Sequence, residues 1–138
     1  MNRLLFVIPI LILGSATSAQ THTPKIGSPE RKAIMDSARV PIQRELHKPI
    51  IFEVKTLKVL NGWAFLYGDP LQKNGRKMDY HGTKYQKWVE DGVFGGGVGV
   101  LLRNRSGRWR VVTYVIGPTD VAWWDWDKRY GCPRSIIR

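Results

Sequence analysis

Apolar residues recur at every fourth position in the segment SPERKAIMDSARVPIQRELHKP, which spans residues 28–49. The positions that share this spacing are Ile34, Ala38, Ile42 and Leu46. One apolar stripe of this kind predicts an amphipathic helix. Ser28 is suited to the N-cap and Pro29 to the first helical position. Because proline cannot supply a helical N–H, we expect Pro41 to kink the helix or to split it near Val40.

Two β-rich runs flank the pair Asn61-Gly62, which is a strong short-range signal for a hairpin. A two-residue turn pairs the strands as Leu60 with Trp63, Lys58 with Phe65, and Thr56 with Tyr67. We expect this aromatic face to be the core face and to continue through Phe52 and Val54. Glu53 and Lys55 are then expected to point the other way.

Residues 68–83 form a polar connection, in which a second pair, Asn74-Gly75, predicts a further turn. The segment TKYQKWVEDG then predicts a short helix, with Thr83 as its cap and Gly92 at its end. Three apolar residues of this helix are expected to share a face: Tyr85, Trp88 and Val89.

The segment GGVGVLLRNRSGRWRVVTYVIG predicts a second hairpin, with its turn between Asn104 and Gly107. One face is expected to carry Val98, Val100, Leu102, Trp109, Val111, Thr113 and Val115. The opposite face is expected to carry Leu101, Arg103, Arg108, Arg110, Val112 and Tyr114. Turns of two or four residues give the same facing, because only an odd shift inverts it.

The segment GPTDVAWWDWDKRYG, residues 117–131, predicts a C-terminal helix that Thr119 caps and Gly131 ends. At helical spacing, a core-facing stripe contains Trp123, Trp126 and Tyr130. We therefore expect two of the three tryptophans to seat the helix on the sheet. Trp124 lies to the side of this stripe and is the aromatic candidate for binding.

Together these elements predict an α+β fold with a single domain over residues 28–138. The predicted architecture is an antiparallel sheet of four to five strands, made of two hairpins, with a kinked N-terminal helix, a short middle helix and a C-terminal helix. We expect the helices mainly on one face of the sheet.

The first 19 residues have the pattern of a signal peptide. Arg3 precedes an apolar run from Leu4 to Leu13, which is too short to span ~30 Å of hydrocarbon, and small residues lead to a cleavage site after Ala19. The mature protein is then expected in the periplasm or secreted, without a transmembrane segment. Residues 20–27 are expected to form a flexible leader.

The chain has 22 Lys and Arg against 11 Asp and Glu, a formal net charge of +11. Loss of Arg3 with the signal peptide lowers this charge to +10, and so basic a surface attracts anions. The expected partner is an anionic envelope component or an acidic protein. Export argues against nucleic acid as the natural partner.

Four arginines cluster around the second hairpin and are the candidate binding residues, with Trp124: Arg103, Arg105, Arg108 and Arg110. Like charges that face each other across strands repel, so such a cluster suggests a nearby anion. The alternative is an ordinary solvated basic edge.

The sequence offers little catalytic chemistry. Cys132 is the only cysteine, which excludes an internal disulfide, and it follows a helix C-terminus, where its thiol is not activated. The histidines His22, His47 and His81 show no metal-ligand spacing, and we expect neither a metal nor a cofactor. The glycines of FGGGVGV lead into a strand rather than a helix, so we interpret them as a tight connection and not as a phosphate loop.

One enzymatic alternative is a phosphodiesterase. A small, basic, exported α+β protein is similar in outline to the secreted guanyl-specific bacterial ribonucleases, which pair a glutamate base with a histidine acid and arginines. Glu53, His81 and Arg110 are the residues of this chain that could take these roles. The histidine acid of that family is missing from the C-terminal part, and both partners would have to lie within about 3 Å of the substrate.

Several strings together resemble a family of small exported bacterial envelope proteins. They are RKAIMDSARVPIQREL, LKVLNGWAFLYGDPLQKNGRKMDY and, most specifically, IGPTDVAW followed by DW and RYGCP. This resemblance covers roughly residues 28–137. It implies one exported domain and supplies no activity or catalytic residue.

The leading hypothesis is therefore an exported, non-enzymatic binding or accessory protein that engages its partner through the basic hairpin. The alternatives are the phosphodiesterase and a small-ligand pocket between sheet and helices. The sequence does not indicate an oligomeric state.

Overall fold

The computed structural model describes Gly14 and residues 19–138, so the predicted signal peptide lies almost entirely outside the described residues. The described chain forms one four-stranded antiparallel sheet in the order β1-β2-β3-β4, as the sequence predicts. The elements in chain order are α1 (Pro29–Leu46), β1 (Ile50–Leu60), β2 (Trp63–Gln72), α2 (Gln86–Glu90), β3 (Val98–Arg105), β4 (Arg108–Ile116), α3 (Trp126–Tyr130) and a 3₁₀ turn (Arg134–Ile136).

The first helix, α1, begins and packs as its sequence predicts. The Ser28 hydroxyl accepts a hydrogen bond from the N–H of Arg31 at 3.2 Å, and the four residues of the apolar stripe are at most 1% exposed. Pro41 does not split the helix, which continues to Leu46. The carbonyl left without a partner at Pro41 belongs to Ser37, which is partly exposed, so water can satisfy it.

The first hairpin has the predicted register, and the predicted face changes partway along it. Leu60, Lys58 and Thr56 face Trp63, Phe65 and Tyr67, and Asn61 and Gly62 have the positive φ angles, 50° and 74°, that a tight hairpin turn requires. A β-bulge at Lys55 places an extra residue between Val54 and Thr56. Phe52 and Val54 therefore lie on the opposite face from the aromatic residues, whereas Glu53, paired with Asp69, lies on the same face as they do. The predicted facing of these three residues was wrong.

The second hairpin turns through Ser106 and Gly107, because Arg105 pairs with Arg108. Trp109 and Val111 share the face of Val98, Val100 and Leu102, as predicted. The ladder then skips Val112, in a second β-bulge. Thr113 and Val115 consequently lie on the opposite face and Tyr114 joins the first, so these three predicted facings were wrong.

The sheet is covered on both faces, whereas the sequence suggested helices mainly on one. On one face α1 packs over a core that contains Ala64, Leu66, Val98, Val100 and Leu102. On the other face the C-terminal segment, residues 117–138, packs over a second core that contains Trp63, Phe65, Leu101, Trp126 and Ile136. Adjacent residues such as Leu101 and Leu102 are both 0% exposed, so the two central strands are buried on both sides.

The C-terminal helix α3 is shorter than predicted. Thr119 is not its cap, because residues 119–125 form successive turns and regular helix begins only at Trp126. Before these turns, Gly117 forms two backbone hydrogen bonds with the glycine segment at residues 95–97. Gly95 N–H donates to Gly117 O at 3.0 Å, and Gly117 N–H donates to Gly97 O at 2.7 Å. The predicted end at Gly131 is confirmed by its left-handed φ of 78°.

The middle of the chain follows the predicted turns. Gly75 N–H donates to Gln72 O at 2.8 Å, which closes the second Asn-Gly turn. Thr83 Oγ1 accepts from the N–H of Tyr85 at 3.2 Å, but α2 begins only at Gln86, so Thr83 is not the N-cap that the sequence predicts. Tyr85 is buried, but Trp88 is 52% exposed, so the expected common apolar face of α2 does not form.

The segment expected to be a flexible leader contacts the sheet. His22 exchanges two backbone hydrogen bonds with Val59, of 3.0 and 2.8 Å, along the free edge of β1. The His22 ring also lies 3.1 Å from a carboxylate oxygen of Glu30. Within residues 19–138, no helix has the length and apolar character needed to cross a bilayer.

Candidate functional site

Four arginines form a two-by-two array on the β3–β4 hairpin. Arg103 is paired directly with Arg110, and Arg105 directly with Arg108. Directly opposed residues share a face of a sheet, and so do alternate residues along one strand. All four side chains therefore lie on the face that the C-terminal segment covers further along, and we call them the arginine face.

Arg103 is fixed by an aromatic ring on the next strand. Its cross-strand neighbour on β2 is Trp63, and its guanidinium carbon lies 4.5 Å from the centroid of the Trp63 ring. Trp63 is only 6% exposed, so the ring is held by the core beneath it. This cation–π contact orients one guanidinium of the array before any ligand arrives.

Among the described residues, no carboxylate neutralises the arginine face. The nine ion pairs found among residues 19–138 do not include any of its four members. Arg105, Arg108 and Arg110 are exposed. Two directly opposed like-charge pairs destabilise a hairpin, and an anion bound across them would offset this repulsion.

Trp124 lies apart from this array. Its side chain is 61% exposed, whereas Trp126 is 3% exposed and Trp123 packs against Phe65. The prediction that two tryptophans seat the segment and one is left over is therefore confirmed. In the described part of the chain, no hydrogen bond or ring contact joins Trp124 to the arginine face, and its carbonyl accepts instead from Arg138 at 3.4 Å.

The three residues considered for phosphodiester chemistry are not brought together. Glu53 is paired with Asp69 at one end of the sheet, whereas the cross-strand row that contains Arg110 runs through Trp63 to Leu60 near the other end. Ladder spacings separate them by about 20 Å along the strands and about 14 Å across them. His81 is exposed on a loop, where its backbone N–H donates to Asp79 Oδ1 at 2.9 Å.

A cavity of about 330 Å³ does lie beside Glu53, where it is also lined by Lys55, Asp69 and Tyr80. The ammonium of Lys55 lies 2.7 Å from Asp69, and this hydrogen bond raises the pKa of Lys55. Burial raises the pKa of Tyr80 to about 12, so its hydroxyl keeps its proton at neutral pH. The cavity thus contains mixed charges and no histidine.

The remaining titratable candidates lie on separate elements. His22 contacts Glu30, His47 is the left-handed C-cap of α1, and His81 lies on a loop. No group of three histidine, cysteine or carboxylate side chains suited to a metal was found in the described residues. Cys132 is 5% exposed, and burial raises the pKa of its thiol above its ordinary value, which disfavours the reactive thiolate.

Sequence reasoning missed a polar cluster centred on Glu45 of α1. Its carboxylate accepts hydrogen bonds from the hydroxyls of Tyr85 and Tyr114, and the Lys84 ammonium lies 2.5 Å away. Burial raises the pKa of Glu45, but the hydrogen bonds from Lys84, Tyr114 and Tyr85 outweigh it and lower that pKa overall. The only sequence signal is that Glu45 adjoins the buried stripe at Leu46.

On the arginine face, four cationic side chains are clustered on two paired strands, and none of them has a carboxylate partner among the described residues. Comparison of the chain with protein-family models, with curated proteins and with solved structures found no match. The function proposed below therefore rests on the geometry and charge of the chain's own residues.

Proposed function

We propose that the protein is exported to the periplasm or beyond and binds a polyanion of the bacterial envelope through the arginine face, without catalysis. The observation that carries this proposal is the pairing of Arg103 with Arg110 and of Arg105 with Arg108 on one face, with no carboxylate partner in the described part of the chain. The signal-peptide pattern of residues 1–19 supports export.

The array suits a ligand with repeated anionic groups. Opposed pairs in an antiparallel ladder are about 5 Å apart, and alternate residues along a strand are about 7 Å apart. These are the spacings of the backbone positions, and the four guanidinium groups that these positions carry exceed in number what one carboxylate or phosphate can neutralise. Guanidinium forks bind phosphate and carboxylate oxygens in pairs, so arginine favours such groups over diffuse negative charge.

The orientation of Arg103 by Trp63 adds to this preference. A guanidinium already held at one position loses less conformational entropy when it binds a ligand. We therefore expect Arg103 to contribute more to affinity than the more exposed Arg105, although both carry the same charge.

The test compares two variants of equal net charge. Arg108→Gln with Arg110→Gln removes half of the arginine face, whereas Lys73→Gln with Arg76→Gln removes two exposed cations from the turn after β2. Binding of residues 20–138 to polyphosphate and to vesicles containing phosphatidylglycerol would be measured over a range of salt concentrations. We expect the first variant to lose about 30-fold in affinity for these probes, from about 1 kcal/mol per arginine.

Equal losses in the two variants would show that only net charge attracts the anion, and the proposal would then be wrong. Failure of the unmodified protein to bind either probe at low salt would also contradict it. Preference for polyphosphate over vesicles would assign the ligand to soluble polymers, and the reverse preference would assign it to the membrane surface.

The phosphodiesterase alternative receives no comparable support. It needs a base, an acid and an arginine around one phosphate. Glu53 and Arg110 lie near opposite corners of the sheet, and the cavity beside Glu53 contains lysines and carboxylates without His81.

A further inference from the structure

A groove runs between α1 and the outer edge of β4. Its volume is about 580 Å³, within the range of ~300–1,000 Å³ that is usual for ligand clefts. Val40 and Pro41 line it from the helix, and Trp109 to Tyr114 line it from the strand. Val40 is 51% exposed and Val112 39% exposed, so apolar side chains border the groove on both sides.

The backbone of β4 faces this groove with groups that can pair with another strand. β4 is an edge strand, because its neighbour in the sheet is β3 alone. The two-residue turn makes Arg105 and Arg108 a hydrogen-bonded pair, and the alternation of the ladder then directs the N–H and C=O of Trp109 and Val111 outward. The Ser37 hydroxyl donates to Trp109 O at 2.9 Å, which agrees with this direction. This carbonyl already has a partner on α1, so an added strand would pair with the N–H of Trp109 and with the N–H and C=O of Val111.

The two edges of the sheet differ in how they are covered. On β1 the edge at Val59 is paired with the backbone of His22. Over residues 19–138, no segment pairs with the outer side of β4 in this way. The bulge at Val112 interrupts the ladder, so a strand added to this edge would pair along Arg108–Val111 only.

The charges at the groove select the kind of strand. Of the residues that the structure describes, Arg44 and Arg110 are the charged ones that line it, and no aspartate or glutamate does. Neither arginine belongs to an ion pair among the described residues. A second copy of this chain would bring Arg108 and Arg110 of its own edge to the groove, and like charges disfavour that occupant.

We propose that β4 and α1 together bind an extended acidic segment of a partner protein, which adds as a short fifth strand beside Arg108–Val111. Main-chain hydrogen bonds supply the affinity. Because alternate side chains of an added strand point to opposite faces, its carboxylates lie on the α1 side, where they meet Arg44, and its apolar side chains lie on the other face. This surface is separate from most of the arginine face, and its occupancy does not depend on the polyanion function.

The test uses a capped synthetic peptide of alternating valine and glutamate, with binding followed by fluorescence anisotropy. Two further peptides carry N-methyl groups on alternate residues. In each of them the N–H donors along one edge of the extended chain are removed, and the two peptides differ in which edge this is. We expect the parent peptide and one methylated peptide to bind, and the other methylated peptide not to bind, because only one edge pairs with β4. A peptide of alternating valine and lysine should not bind.

Protein variants separate this site from the arginine face. Arg44→Glu should lower the affinity for the valine–glutamate peptide about tenfold, as expected for reversal of a charge at a binding surface. It should leave polyphosphate binding unchanged. Lys73→Glu makes the same charge change away from the groove and should leave the peptide unaffected. Arg103→Gln with Arg105→Gln should weaken the binding of polyphosphate and leave the binding of the peptide unchanged.

Equal binding of both methylated peptides would exclude strand addition, and equal effects of Arg44→Glu and Lys73→Glu would exclude the groove. Absence of binding by the parent peptide would also overturn the proposal. Slower hydrogen exchange at the Val111 amide in the presence of the peptide, with no change at Val59, would support it.

Discussion

The guanidinium of Arg103 stacks on the indole of Trp63 across the β2–β3 ladder, 4.5 Å from carbon to ring centroid. The contact covers a tryptophan that belongs to the core beneath the C-terminal segment. It also holds one member of a cluster of like charges. The same residue therefore contributes to stability and to the proposed anion site.

Replacing Arg103 by alanine should lower the free energy of unfolding by about 1 kcal/mol, because the cation–π contact and the cover over Trp63 are lost. Arg105→Ala should leave stability within about 0.5 kcal/mol or raise it, because it removes repulsion from Arg108 without uncovering a ring. Urea denaturation of both variants measures the difference. Equal effects would mean that the stack contributes nothing.

Trp126 and Trp124 should differ sharply in their contribution to stability. Trp126→Ala should cost about 3–5 kcal/mol, because that ring is 3% exposed and contacts Phe65, Trp123 and Tyr130. Trp124→Ala should change the free energy of unfolding by less than about 0.5 kcal/mol. A large loss in the Trp124 variant would contradict its position outside the core.

Gly117 should tolerate no side chain. Its φ is 68°, and a Cβ atom there would lie 2.0 Å from the Phe94 ring. Gly117→Ala should therefore cost roughly 2–4 kcal/mol in thermal or urea unfolding, from backbone strain together with overpacking. Gly75→Ala is the matched control, since its φ is 81° with open space around it, and strain alone should cost about 1 kcal/mol.

The Glu45 cluster predicts a pH dependence. The folded pKa of Glu45 is lowered from its ordinary value of 4.5, so its stabilising effect is present above that value and is lost as pH falls through the folded pKa. Glu45→Gln should cost about 2 kcal/mol at neutral pH and much less in acid, where the native carboxyl is protonated. Urea unfolding at neutral and acidic pH measures this change.

Glu90→Gln, at an exposed position on α2, is the control and should show no such dependence. A cost of Glu45→Gln that stays constant from neutral to acidic pH would mean that the charge of Glu45 is not what stabilises the cluster.

Cys132 should react slowly with a chromogenic disulfide reagent. The thiol is 5% exposed and its pKa is raised by burial, and Asp127 adds a smaller effect in the same direction. We expect the folded protein to react roughly tenfold more slowly, or slower still, than the protein unfolded in urea at the same pH. Rapid labelling of the native protein would contradict this burial.

Elements fixed by neighbouring residues were predictable from the sequence. Each of three such elements depends on residues that are close together in the sequence. They are the Asn61-Gly62 turn, the Ser28 cap and the four-residue stripe of α1. Chain-local signals also identified the arginine cluster. The separation of Trp124 from the buried pair followed from spacing alone, even though the regular helix begins later than expected.

Features that depend on distant pairing were not predictable. The bulge at Lys55 shows in β1 only as a change of the core-facing positions from Phe52 and Val54 to Leu57 and Val59, which the prediction passed over in favour of one continuous face. The bulge at Val112 follows Val111 directly in β4, and alternation does not locate it between two apolar neighbours. The stack of Arg103 on Trp63 depends on the register between β2 and β3. No tight turn connects these two strands, so the sequence does not indicate that register. The Glu45 cluster draws side chains from α1, β4 and the loop before α2, so it exists only in the folded chain.

The bulges have a consequence for how the chain can change in length. Lys55 and Val112 are each one residue inserted into an otherwise regular ladder. Deleting either residue would keep every flanking side chain on its present face, whereas a single deletion elsewhere in these strands would invert all that follow. Single-residue gains and losses among evolutionary variants of this fold should therefore concentrate at these two positions in the strands.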